Sequence, residues 1–189
     1  MGLGEVRPTA GSTSMSASGE QGFTLIELLV TLTVISLLVA IAVPALLRAR
    51  VTGNETSAIA SLKLTSVSEV TYAASCGRGG FASSYLVLGT PPSTGSPEFI
   101  SRDLGQSATP QKSGYDFALT PITGALAGPP DCNGTPTTTA WYATGVPFTF
   151  GVTGNRGFAV DTTNTIWQDT TGAAPGTPFT LSATVAQIH

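Results

Sequence analysis

The chain has 189 residues, with eight Lys and Arg against eleven Asp and Glu, for a formal charge of -3. Only 10% of the residues are charged, against roughly 25% in an average soluble protein, and this composition excludes the basic surface that nucleic-acid binding needs to displace counterions. The single histidine is His189, so a His-built metal centre or a Ser-His-Asp triad within the chain is excluded too. No catalytic group, metal site or cofactor is expected.

A mean hydropathy of +0.25 sits oddly beside 22 Gly and 13 Pro. The reason is one concentrated apolar block, Phe23 to Leu47, whose only charge is Glu27. From Leu28 to Leu47 there is no charge at all, which is about the 20 residues a helix needs to span a ~30 Å hydrocarbon core. A secretory signal core is shorter, about 7–15 residues, and ends in a small-residue cleavage site. Here Arg48-Ala49-Arg50 follows instead, which marks an anchor that stays attached. Glu27 stands one turn inside the block. A carboxylate costs about 2.5–3.5 kcal/mol at mid-helix and less near the interface, and an ionisable residue at membrane depth is by default a functional hypothesis. The alternative is a side chain that reaches back to the head groups.

The run Gly22-Phe23-Thr24-Leu25-Ile26-Glu27-Leu28 closely resembles the processing motif of type IV prepilins and type II secretion pseudopilins. The resemblance is firm from Gln21 to about Thr56. It implies cleavage after Gly22 by a prepilin peptidase, N-methylation of the new amine on Phe23, and a role for Glu27 in docking subunits during assembly. Pro44 falls where the family commonly places a helix-kinking proline. The implied partners are further copies and other pilin-like subunits, the prepilin peptidase, an inner-membrane assembly platform and the membrane itself, without nucleic acid. The implied localisation is the bacterial inner membrane, as a single pass with the C-terminal domain in the periplasm, and then a filament. Two features depart from the family. The 22-residue leader carries Glu5, Arg7 and Glu20 where family leaders are often short and basic; a start at Met15 gives a more usual length. Arg48 and Arg50 follow the span while only Arg7 precedes it, so the positive-inside rule keeps the C-terminal domain in the cytoplasm. The motif, which has to coincide with the span, overrides that statistical bias.

Past Leu47, helix is expected to continue to about Ala74. Pro44 removes one donor and bends the helix without ending it, since apolar residues continue on both sides. Gly53-Asn54 is a weaker point, where the alternative is two separate helices. Ile59, Leu62, Ser66, Val70 and Ala73/Ala74 share one face, with Glu55, Lys63 and Glu69 off it. Cys76-Gly77 and Gly79-Gly80 stop the helix. A loop-rich region follows. Gly114–Thr120 alternates, with Tyr115, Phe117 and Leu119 on one side, and reads as a strand ending at Pro121. Ala140–Thr144 is a second strand; Phe158–Asp161 and Thr165–Gln168 form a hairpin around Thr162-Thr163-Asn164. Three or four antiparallel strands leave one apolar face for the amphipathic half of the helix to cover. The expected fold is thus α+β: a leader at 1–22, a membrane or filament-core helix at 23–47, its amphipathic continuation at 48–75, and a small antiparallel-sheet domain at 76–189.

Outside the cytoplasm, two cysteines in a small domain are expected to bridge, so Cys76 and Cys132 form either a disulfide, the expected state, or two free thiols. The glycine-rich stretch Gly151–Gly157 lacks dinucleotide-fingerprint spacing and reads as a turn. Asp161 and Asp169 are too sparse a cluster for calcium. Asn54-Glu55-Thr56 and Asn133-Gly134-Thr135 match the glycosylation pattern, a triplet common by chance in a Thr-rich chain. Phe148, Phe150, Trp141 and Tyr142 are expected in the core rather than as binding platforms. The reading is a structural subunit of a type IV pilus or pilus-like filament. The nearer rival is a pseudopilin of a type II secretion system, and the remoter one a membrane-anchored periplasmic binding module.

Overall fold

A computed structural model describes residues 22–188; the leader up to residue 21, with the alternative start at Met15, and His189 lie outside the described residues. Helix α1 runs Leu25–Ser75 without interruption at Pro44 or Gly53. Two short helices follow, α2 at Tyr85–Leu88 and α3 at Arg102–Gly105. Then come β1 Gln111–Lys112, β2 Tyr115–Pro121, β3 Trp141–Pro147, β4 Gly157–Asp161, β5 Ile166–Asp169 and β6 Val185–Gln187. The strands form one six-stranded antiparallel sheet in sequence order. The architecture is α+β. It has more strands than the three or four expected: β1 and β6 have two and three residues, too short for a period-2 pattern to register. The described residues divide into two compact units that part between Ala42 and Val43.

In the second unit the sheet's inner face is built by alternation. Tyr115, Phe117 and Leu119 of β2 and Trp141 and Ala143 of β3 are buried, as period 2 requires of a half-covered sheet. Phe117 pairs in register with Gly145. A Cβ at Gly145 would sit 3.1 Å from the Phe117 ring and 3.8 Å from Leu62, so the glycine makes room for ring and helix together. Leu62, Tyr72 and Ala58 of α1 join the same core, with Tyr85, Leu88, Ile100 and Leu104 closing it.

The buried line on α1 is Glu55, Ala58, Leu62, Thr65, Glu69, Tyr72, continuing to Cys76. Its steps of three and four are those of a helix face. Leu62 and Ser66 of the expected face are buried, but the face is centred nearer Glu55, Ala58 and Glu69 than its apolar residues mark. Val70 and Val67 are exposed and Ile59 is half-buried, whereas Glu55 and Glu69, expected off the packed face, are inside it. The correction has a physical cause: most of the buried polar groups have a specific partner, Ser66 Oγ and one Glu69 oxygen being the exceptions among the described residues. Thr65 Oγ1 is 3.0 Å from the Tyr85 hydroxyl, the Tyr72 hydroxyl donates to Asp131 Oδ2 at 2.7 Å, and Ser68 donates to the Phe99 carbonyl at 2.8 Å. Satisfied polar groups can be buried at little cost, and unsatisfied ones cannot.

The end of α1 is tied down covalently. Cys76 and Cys132 form a disulfide with Cα atoms 4.8 Å apart, and the Cys132 N–H donates to the Cys76 carbonyl at 2.9 Å. Asp131 beside it accepts the backbone N–H groups of Asn133 and Thr135 through Oδ1. The Tyr72 hydroxyl, the disulfide and this turn therefore hold one corner of the domain together.

Candidate functional site

The motif residues stand at the start of α1. Gly22, Phe23 and Thr24 precede the helix and are exposed. Thr24 caps it: its hydroxyl accepts the Glu27 N–H at 3.2 Å and its carbonyl the Leu28 N–H at 3.2 Å. This is what an N-cap threonine does for the orphan donors of a first turn. Glu27 lies in that first turn, where the helix dipole favours an anion. Among the described residues a Cβ built at Gly22 meets nothing within 4 Å.

Beyond Glu27 the apolar side chains face outward all round the helix, and Leu37, Leu38 and Ile41 are among the most exposed. The hydroxyls in this stretch satisfy themselves. Thr31 donates to the Leu28 carbonyl at 2.8 Å, Thr33 to the Val30 carbonyl at 2.7 Å and Ser36 to the Leu32 carbonyl at 2.8 Å. In hydrocarbon every polar hydrogen needs such a partner, so these residues can stand in the span without the full cost of their hydroxyls. Pro44 lies inside α1, and its missing N–H leaves the carbonyl one turn earlier without its usual donor.

Other residues considered from the sequence fall elsewhere. Asp161 ends β4 and accepts the N–H and hydroxyl of Thr163. Asp169 ends β5 and accepts the Thr171 N–H. The hairpin register puts Val160 opposite Ile166 and Gly157 opposite Asp169, so the two carboxylates sit at opposite ends and cap their own turns. Among the described residues no cluster of three metal-ligating side chains occurs. Asn54 is half-buried, its amide donating to the Thr153 carbonyl at 2.9 Å, and the Asn133 amide donates to the Pro91 carbonyl. Residues 151–156 lie in the β3–β4 turn and Gly157 opens β4; the turn is closed by Gly151 N–H to the Gly154 carbonyl at 2.9 Å. Trp141 is buried and Tyr142 half-buried, its hydroxyl donating to the Pro175 carbonyl. Phe148 and Phe150, expected inside, are instead exposed, because β3 ends at Pro147 and the turn carries them past the edge of the core.

Sequence reasoning missed one polar centre, which joins α1 to that turn. Glu55 is buried and accepts Arg156 through Nε at 2.9 Å and Nη2 at 2.6 Å, while its other oxygen takes the Asn155 N–H at 2.9 Å. Arg156 also donates to Gln168 Oε1 at 2.7 Å and lies over the Phe158 ring. Glu69 contrasts with it. Its Oε2 accepts the Ala82 N–H at 2.9 Å, Oε1 has no partner among the described residues, and no cation balances it. Burial pushes its carboxyl up to about 8, with the Ala82 N–H pulling the other way.

Residues 17–43 match the family model of the prokaryotic N-terminal methylation motif. That motif is the hallmark of type IV pilins and pseudopilins, and this chain carries it at the head of a helix long and apolar enough to cross a membrane. No curated protein and no solved structure matches the chain.

Proposed function

We propose that the chain is a structural subunit of a type IV pilus or pilus-like filament. The observation that carries this reading is the methylation motif heading an exposed apolar helix. In this reading a prepilin peptidase cuts after Gly22 and the amine of Phe23 is methylated. The subunit waits in the inner membrane by its single span with residues 76–189 in the periplasm, and an assembly platform moves it into a helical fibre. A head-to-tail contact that does not close yields a fibre rather than a ring. The Phe23 amine is a cation and Glu27 an anion about one turn on. Between staggered helices in a low-dielectric shaft they attract because an unpaired charge there is costly, so Glu27 sets register and performs no chemistry. The exposed Leu64, Val67 and Val70, outside the buried face of α1, support the same reading: they extend an apolar surface for neighbouring helices beyond the span.

The test is intact-mass analysis and N-terminal sequencing of membrane-extracted protein, followed by mass spectrometry of sheared surface filaments. A methylated Phe23 at the mature N-terminus and the subunit in sheared fibres are expected. An uncleaved chain, or a cut near Arg50, overturns the reading. Correct processing with the protein confined to a short periplasmic fibre moves the assignment to the secretion pseudopilins. Gly22→Val is expected to block the cut by crowding the scissile bond.

A further inference from the structure

We propose that the β3–β4 turn is a membrane-surface contact: while the subunit is anchored by its span, Phe148, Phe150 and Val152 seat in the head-group region of the bilayer beside Leu47, with Arg48 and Arg50 facing anionic lipid phosphates. The proposal rests on the reading of residues 28–47 as the anchor. Phe148, Phe150 and Val152 are 64%, 59% and 67% exposed, three large apolar side chains within five residues at the tip of one turn. Isolated exposed apolar residues are ordinary, whereas a contiguous patch marks a contact.

Three observations point to lipid as the occupant. The first is position. Gly151, Val152 and Asn155 line a groove with Leu47, Arg48, Val51 and Thr52 of α1, so the turn stands beside the end of the apolar run. Val51 is one helical turn, about 6 Å, beyond Leu47, and the head-group zone occupies about 5–7 Å on each side of the hydrocarbon core. The second is charge. Arg48 and Arg50 are exposed, and among the described residues neither forms an ion pair. The one carboxylate lining the groove, Glu55, is already neutralised by Arg156. Apolar side chains flanked by cations are the composition of an interfacial contact with anionic lipid. The third is rigidity. The turn is fixed to α1 by Asn54 on the Thr153 carbonyl and Glu55 on Asn155 and Arg156. It is braced internally by Thr149 N–H to Thr153 Oγ1 at 3.0 Å. Phe150 lies over Gly172, where a Cβ would collide with its ring. Phe148 and Phe150 nevertheless keep most of their surface exposed.

The experiment uses the full chain reconstituted in phosphatidylethanolamine and phosphatidylglycerol vesicles. One spin-labelled cysteine is introduced at a time, by Phe148→Cys, Val152→Cys, Leu126→Cys or Leu37→Cys; Cys76 and Cys132, being bridged, take no label. Labels at 148 and 152 are expected to collide more with oxygen than with a water-soluble nickel chelate, as at 37, and the label at 126 the reverse. Labels at 148 and 152 that behave like 126 while 37 reports hydrocarbon overturn the proposal and leave the anchor standing. A label at 37 that reports water overturns the anchor, and the proposal with it. Dipolar broadening at 148 that fades on dilution with unlabelled chain shows a second copy in the groove and also overturns it. Arg48→Gln with Arg50→Gln is expected to make 148 shallower only when phosphatidylglycerol is present; an unchanged depth removes the arginines from the contact.

Discussion

Helix α1 runs through both units of the chain, and its two halves treat their side chains in opposite ways. Before Leu47 the apolar residues face outward on every side and the hydroxyls turn back onto their own helix. After Leu47 the buried face is Glu55, Ala58, Leu62, Thr65, Glu69 and Tyr72, while Leu64, Val67 and Val70 are left outside. The three glutamates sharpen the contrast. Glu27 is exposed in the apolar half, Glu55 is buried with a cation, and Glu69 is buried without one. The lesson is that hydrophobicity decides burial only where water is the alternative. In the first half the proposed surroundings are lipid or neighbouring helices, so exposure in the isolated chain is the functional state. In the second half, hydrogen-bond partners on the sheet and its loops decide which face turns inward.

The largest effect that would break this contrast is on assembly. Glu27→Leu is expected to leave cleavage and membrane insertion intact and to abolish most filaments, read as processed subunit retained in membranes with few sheared fibres. Normal assembly would reduce Glu27 to an interfacial residue. Next is the covalent corner. Replacing Cys76 and Cys132 by Ala together is expected to cost about 4 kcal/mol of stability for a loop of this separation, measured by denaturant unfolding of the full chain in detergent. Arg156→Met is expected to cost about 2–4 kcal/mol in the same assay, because it strands Glu55 in the interior. Arg156 itself is partly solvated, which holds the figure below that of a fully buried pair.

Glu69 adds a pH signature. Its carboxyl rises from 4.5 to about 8 on folding, so the folded state favours the protonated form. Stability from this group is complete below about 4.5, falls as pH rises to about 8, and is level above that. Glu69→Gln is expected to flatten this slope, read as the shift of the denaturation midpoint between pH 5 and 8; an equal slope in both proteins rejects a neutral Glu69. The smallest expected effect on stability is that of Val67→Ser, within about 0.5 kcal/mol as for other surface changes, combined with reduced filament yield if this face meets neighbouring helices.

What was legible in the sequence is what local chemistry settles. The uncharged run after Glu27, the Gly22–Leu28 motif and the single helix ending near Ser75 depend on residue type and near neighbours alone. So do β2 and the β4–β5 hairpin, whose alternation and turn residues lie within a few positions of each other. Tertiary structure alone decided the orientation of the second half of α1, because the partners of Glu55, Thr65, Glu69 and Tyr72 come from Arg156, Tyr85, Ala82 and Asp131. Apolar periodicity placed Leu62 and Ser66 correctly but centred the face too near Val70, since it counts valines and cannot see a distant hydroxyl or guanidinium. The same holds for Phe148 and Phe150: their composition is that of a core strand, and only the end of β3 at Pro147 puts them outside. A side chain's affinity for water is written in its own chemistry, but whether a buried polar atom finds a partner depends on residues brought near only by the fold.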